Sequence, residues 1–156
     1  MMKNTTLVGN IGEQLAADYL KAAGYKILDR NLKICSCEVD IIAEAYIDKN
    51  GAPIVAKAPF KRLLSNINPT FVSKGRGERT VIFCEVKTRL TAEFGSGAEA
   101  VTPYKAARYV TAAKAYMAGR FDANTAVRFD IIEVGDGEVG HIVNAFDENY
   151  AKFCKK

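Results

Sequence analysis

The sequence predicts an α/β fold in which helices flank a mixed central sheet. Three observations carry this: a helical apolar stripe near the start, short runs with strand character, and a Thr-Pro helix start between the third and fourth runs. The predicted element order is α-β-β-β-α-β in a single domain over residues 1–156. A chain of this length buries a real core.

The first helix is read from Val8, Ile11, Leu15 and Tyr19, a stripe broadened by Ala16, Leu20 and Ala23, with Gly24 as its C-terminal cap. Tyr25 to Leu32 reads as a strand and Glu38 to Ala45 as a second. Val81 to Thr88 is the best-formed strand. Thr102-Pro103 then offers a capping hydroxyl followed by proline at the first helical position. Ala106, Val110, Ala113 and Met117 follow as its buried stripe, with Lys105, Arg108 and Lys114 off it and Gly119 at its end. Val127 to Val134 is a fourth strand, and His141 to Phe146 a candidate short last one.

Between the second and third strands, residues 45–79 form a long basic insertion. Seven basic residues there (Lys49, Lys57, Lys61, Arg62, Lys74, Arg76, Arg79) oppose only Asp48 and Glu78. Since the whole chain carries +4, this segment holds +5 and the remainder −1. Such a segment suits a polyanion, or is simply a solvated loop. No apolar run approaches the ~20 residues that span a bilayer, and the first residues lack the apolar stretch of a secretory signal. A cytoplasmic protein without membrane contact is therefore expected. Cys35, Cys37, Cys84 and Cys154 contain no Cys-x-x-Cys pair, which argues against a zinc site. His141, the one histidine, accompanies no catalytic-cysteine signature and reads as a packing residue. Asp130 reads as a structural acid near Arg128, and Tyr109 and Tyr116 as core or helix flank.

Chemistry concentrates in Glu38-Val-Asp40 and Glu85-Val-Lys87. Strand alternation puts Glu85 and Lys87 on one face, roughly 7 Å apart, in a row continued by Val81 and Phe83. If the second and third strands pair antiparallel with Asp40 opposite Glu85, Glu38 falls opposite Lys87. Opposed Cβ atoms lie about 5 Å apart, so the two carboxylates repel unless a divalent cation sits between them. Hard cations such as Mg²⁺ take such oxygen ligands. Lys87 would then orient a nucleophilic water or stabilise the transition state, and the chemistry inferred is phosphodiester hydrolysis. The competing reading is a cross-strand Glu38–Lys87 salt bridge beside a solvated Asp40.

Asp40 followed one strand later by Glu85-Val-Lys87 resembles the signature of the restriction-endonuclease-like superfamily. The chain as a whole is similar to the YraN-like family, related in pattern to archaeal Holliday-junction resolvases. The likeness runs through Gly9-Asn-Ile-Gly-Glu13, Gly24-Tyr25, Arg30-Asn31, Glu38-Val-Asp40-Ile-Ile-Ala43, Phe83-Cys-Glu85-Val-Lys87-Thr-Arg89, Phe94-Gly95, Glu99-Ala-Val101, Lys105, Arg128-Phe-Asp130 and Asn144-Ala-Phe146. Two departures stand out. Cys37 replaces the family's usual glycine, and the connection between the strands is far longer than the usual hairpin.

The resemblance implies a restriction-endonuclease-like fold and a Mg²⁺- or Mn²⁺-dependent endonuclease acting on DNA, including branched or damaged DNA. Asp40 and Glu85 would be metal ligands, with the Val86 carbonyl a further one, and Lys87 the catalytic lysine. Glu13 matches an acidic helix residue completing the site in the resolvase-like branch; otherwise it is a first-turn acid favouring the helix dipole. Arg89, Lys105 and Arg108 are candidate phosphate contacts or solvated charges. A homodimer is expected, since two strands must be cut. The alternatives are a non-catalytic nucleic-acid-binding module and a protein-interaction adaptor.

Overall fold

A computed structural model describes residues 3–54, 77–89, 101–135 and 138–153. Most of the basic insertion, including Lys57, Lys61, Arg62, Lys74 and Arg76, lies outside the described residues, as do Phe94-Gly95 and Glu99. The elements run α1 (Lys3–Ala22), β1 (Lys26–Ile34), β2 (Cys37–Ile47), β3 (Glu78–Arg89), α2 (Pro103–Met117), β4 (Ala126–Gly135), β5 (Glu138–Phe146) and α3 (Glu148–Lys152). The five strands anticipated from the sequence are all present, each longer than expected. The one-turn α3, capped by Asp147, was not anticipated.

The sheet order is β1-β2-β3-β4-β5. β1, β2 and β3 form an antiparallel meander, β3 and β4 are parallel across the α2 crossover, and β5 returns antiparallel to β4. The sheet is thus mixed, as predicted. A parallel pair needs a long connection, and α2 supplies it. Two-residue Cys35-Ser36 joins β1 to β2 with φ of 48° and 64°, a hairpin turn matching the strand twist.

Two apolar layers cover the sheet. On one face α2 buries Ala106, Tyr109, Val110, Ala113 and Tyr116 against Val39, Ile42, Val81, Phe83, Phe129 and Ile131. Thr102 caps α2 by accepting from the Lys105 amide, and Pro103 opens it, as the sequence indicated. On the other face α1 buries Ala16, Ala17 and Leu20 against Ile41, Ala43, Ile82, Cys84 and Ile132.

The stripe of α1 needs correcting. Val8, Ile11 and Leu15, expected in the core, are 36%, 53% and 38% exposed, while small Ala16 and Ala17 are fully buried. A Cβ on Gly12 would lie 2.0 Å from Thr88 Oγ1. The helix approaches β3 too closely there for larger side chains, so a small-residue face was chosen over the larger apolar one. No helix among the described residues is long and apolar enough to cross a membrane.

Candidate functional site

β2 and β3 pair in the register anticipated for Asp40 and Glu85. Ile41 faces Cys84, Ile42 faces Phe83, and the ladder continues to Ile47 opposite Glu78. It stops at Ile41. One step further, the Asp40 carboxylate takes the place of a strand carbonyl and accepts from the Val86 N–H at 2.7 Å.

Alternation of β2 breaks at this point. Cys37 and Val39 pack on the α2 side, whereas Ile41, Ala43 and Ala45 pack on the α1 side. β1 bends with it. Asn31 would be the register partner of Asp40, and it adopts a φ of 50°. Asparagine tolerates that left-handed region better than other non-glycine residues. Alternation from Ile42 carries Asp40 to the α2 side of the sheet, the side of Glu85, and the break in phase falls between Val39 and Ile41.

The cleft, about 440 Å³, is lined by Cys37, Glu38, Asp40, Glu85, Tyr104, Lys105 and Arg108. Glu85 is its most heavily bonded member. Only 4% exposed, it receives Lys87 Nζ at 2.6 Å on Oε1 and Lys105 Nζ on the same oxygen. Tyr109 O–H donates to Oε2 at 2.7 Å. Burial alone would push the Glu85 carboxyl up, but the lysines and Tyr109 together hold it below its ordinary value.

Asp40 lies at the opposite extreme. Burial, then repulsion from Glu85, raise its carboxyl to about 6 despite the Val86 N–H, and Glu13 adds to the rise. Two neighbouring acids whose environments drive them apart mark a site where charge is left uncompensated.

Glu38 does not meet Lys87. It pairs across β1 with Lys33 at 3.8 Å, in an exposed contact, while Lys87 turns to Glu85. The cross-strand salt bridge considered from the sequence is therefore absent. Glu13 is half-buried in the middle of α1, which begins at Lys3, so it is not a first-turn acid. Its turn adjoins the Gly12–Thr88 contact, and its charge reaches Asp40. Lys105 and Arg108 line the cleft, but Arg89 is engaged elsewhere. Its Nε donates at 3.0 Å to Glu133, an acid 1% exposed and in parallel register with Lys87.

Sequence reasoning missed Tyr109 as a partner of Glu85, and it missed Glu133. The first was legible in outline. Lys105 and Tyr109 stand four residues apart, on one face of a helix that must cross the third strand. Nothing in the sequence marked Glu133.

Among the described residues, no three His, Cys, Asp or Glu side chains converge into a metal-binding group. Asp40 and Glu85 alone fit Mg²⁺ or Mn²⁺. Mg²⁺ is usually held by one or two carboxylates and keeps several waters or substrate oxygens. The all-oxygen donors do not fit a nitrogen- and sulfur-ligated structural zinc.

Comparison with known proteins shows the family to which the chain belongs. The model of a family described as "Uncharacterised protein family UPF0102" matches residues 12–134, from the close-packed turn of α1 to the end of β4. A UPF0102 protein of Caldanaerobacter subterraneus subsp. tengcongensis is 34% identical over 150 residues, covering 92% of this chain and 97% of the relative. Another, from Geotalea daltonii, is 33% identical over 153 residues and covers 94% of each. One from Pelobacter propionicus is 32% identical over 147 residues, covering 91% and 84%. With the match extending over most of its length and both faces of its sheet, the chain belongs to the UPF0102 family.

Proposed function

We propose that this protein is a metal-dependent endonuclease of restriction-endonuclease-like type, hydrolysing phosphodiester bonds of DNA, including branched or damaged DNA. One observation carries the reading: Asp40 and Glu85, from paired strands, share a cleft, Lys87 pairs with Glu85, and burial together with repulsion from Glu85 raises the Asp40 carboxyl to about 6.

Asp40 and Glu85 would hold Mg²⁺ or Mn²⁺, with Val86 close by through its backbone. Bound there, the cation supplies charge neutralisation for a phosphoryl oxygen and acidifies a water. Tyr109 fixes the Glu85 carboxylate in one rotamer and keeps Oε2 satisfied. Lys87, held at Oε1, is positioned to orient the attacking water or meet charge growing on the phosphate. Lys105 neutralises Glu85 and, with Arg108, offers cations to the substrate backbone from the cleft wall. Cutting both strands of a branched substrate would require two such sites, so we also propose a homodimer.

A second reading, a non-catalytic nucleic-acid-binding module, is favoured by the two lysines that already balance Glu85. Labelled linear duplex, single-stranded and four-way-junction DNA incubated with the protein in Mg²⁺, Mn²⁺ or EDTA would separate the two. The endonuclease cuts at least one substrate with metal, loses cutting in EDTA and in Lys87→Ala, and still binds as Asp40→Asn. Binding without cutting under every metal would replace it with the binding module. If neither occurs, both readings fail.

A further inference from the structure

The acid pair forms the floor of the cleft, but its rim carries a different chemistry. Tyr104, the second residue of α2, lines the same cleft as Asp40 and Glu85 yet is 64% exposed. Arg108, one helical turn on, lies over its ring with the guanidinium carbon 5.9 Å from the centroid. Residues four apart face each other on a helix, so the pair forms a two-layer shelf of guanidinium and ring. Lys105, between them in sequence, reaches down to Glu85 and ties the shelf to the acid pair.

We infer that Tyr104, backed by Arg108, is a stacking platform for one unpaired nucleobase beside the bond to be cut. The preferred substrate is then DNA with single-stranded character: a flap, a loop, a frayed end or a junction. The inference rests on the nucleic-acid reading above and adds the substrate class to it.

Three features of the cleft agree. Its volume is that of a small-molecule site, about 300–1,000 Å³, enough for a single nucleotide and too small for a duplex. Every base has a π-face, so an aromatic shelf is tolerant of sequence, as a structure-directed enzyme requires. Tyrosine also gives up little side-chain freedom on stacking, having only two χ angles.

The chain contains no tryptophan, so Tyr104→Trp introduces a single fluorophore at the platform. In EDTA, to prevent cutting, the wild type and the Tyr104→Ala, Tyr104→Phe and Tyr104→Trp proteins would be titrated with oligothymidylate, an abasic oligomer of the same length, and a blunt duplex. Stacking predicts that Tyr104→Ala weakens oligothymidylate binding by on the order of tenfold. Tyr104→Phe should bind as the wild type does, and duplex and abasic affinities should stay within about twofold. Oligothymidylate, and not the abasic strand, should quench the Tyr104→Trp fluorescence. If Tyr104→Ala binds oligothymidylate unchanged, loses all three ligands equally, or if quenching is missing although binding occurs, the platform is refuted and the nucleic-acid reading survives. If the wild type binds none of the three, both fall together.

Discussion

Two aspartates of the same sheet, half-buried Asp40 and fully buried Asp130, have opposite fates. Asp130 on β4 is fully buried and saturated. It accepts from Arg128, from His141 at 2.8 Å and from the Asn144 N–H at 2.9 Å. Burial alone would raise its carboxyl, yet these partners hold it below the ordinary value. Arg128 in turn donates to the Tyr25 hydroxyl, and Tyr19 and Tyr25 pack edge-on against His141. Asp40 has one backbone N–H, a like charge beside it and an open cleft.

Each has an asparagine of positive φ nearby, Asn31 at 50° in register with Asp40 and Asn144 at 53° beside Asp130. Beside Asp130 the asparagine delivers a donor, its backbone N–H, whereas Asp40 has a like charge as its neighbour. A buried charge with its hydrogen bonds complete maintains the fold, and one left short of partners is available for ligand binding.

The most severe way to break this contrast is Asp130→Asn, which leaves Arg128 buried without its counter-charge. Removing one partner of a buried pair costs about 3–5 kcal/mol. Chemical denaturation should show a loss of that order, and a loss below about 1 kcal/mol would mean that the network does not maintain the fold. Asp40→Asn should behave in the opposite sense above pH 6. It relieves the repulsion from Glu85, so the metal-free variant is at least as stable as the wild type while DNA cleavage is lost. A strongly destabilised Asp40→Asn would make the two aspartates equivalent and sink the comparison.

The pH dependences sharpen the contrast, because their signs differ. The folded value of Asp40 lies above its unfolded one, so its stabilising contribution is present below about 4 and is lost as pH rises through about 6. The folded value of Asp130 is depressed. Its contribution is present above the unfolded value and disappears on acidification. Thermal melts of the metal-free protein should therefore show Asp40→Asn gaining on the wild type between pH 5 and pH 7. If Asp40 is the proposed Mg²⁺ ligand, the cation should raise the wild-type melting temperature more at pH 7.5, where that carboxyl is ionised, than at pH 5, with about 1.4 kcal/mol at ten times its Kd. An equal Mg²⁺ shift at both pH values would place the cation elsewhere. Smallest in effect, Tyr109→Phe removes one donor from Glu85 and should cost about 1 kcal/mol in denaturation, together with weaker Mn²⁺ binding by electron paramagnetic resonance. Unchanged Mn²⁺ affinity would reduce Tyr109 to packing.

Much of this architecture was legible in the chain. Period-two runs and Thr102-Pro103 located the strands and α2 because hydrophobic spacing and capping are local. Glu85 and Lys87 could be placed on one face from alternation alone, and the assumed register of Asp40 against Glu85 continues the ladder found from Ile41 to Ile47. Other relations could not be read in this way. Val8, Ile11 and Leu15 formed the stronger apolar stripe, but steric fit at Gly12 and Thr88 selected the small-residue face. Glu38 found Lys33 rather than Lys87 because β1 lies alongside it, while the β2–β3 ladder had already ended.

The sequence by itself determined which segments are helix and strand and which side chains share a strand face, as Glu85 and Lys87 do. These follow from periodicity and side-chain type, properties of a few neighbouring residues. Only the tertiary structure decided which acid is saturated and which is left uncompensated. That depends on the burial of Asp40 beside Glu85, the reach of Lys105 and Tyr109 from α2 to Glu85, and the closure of Arg128 and His141 around Asp130. Each of those contacts joins residues from different elements, and the balance of charge and hydrogen bonds exists only once the elements have packed.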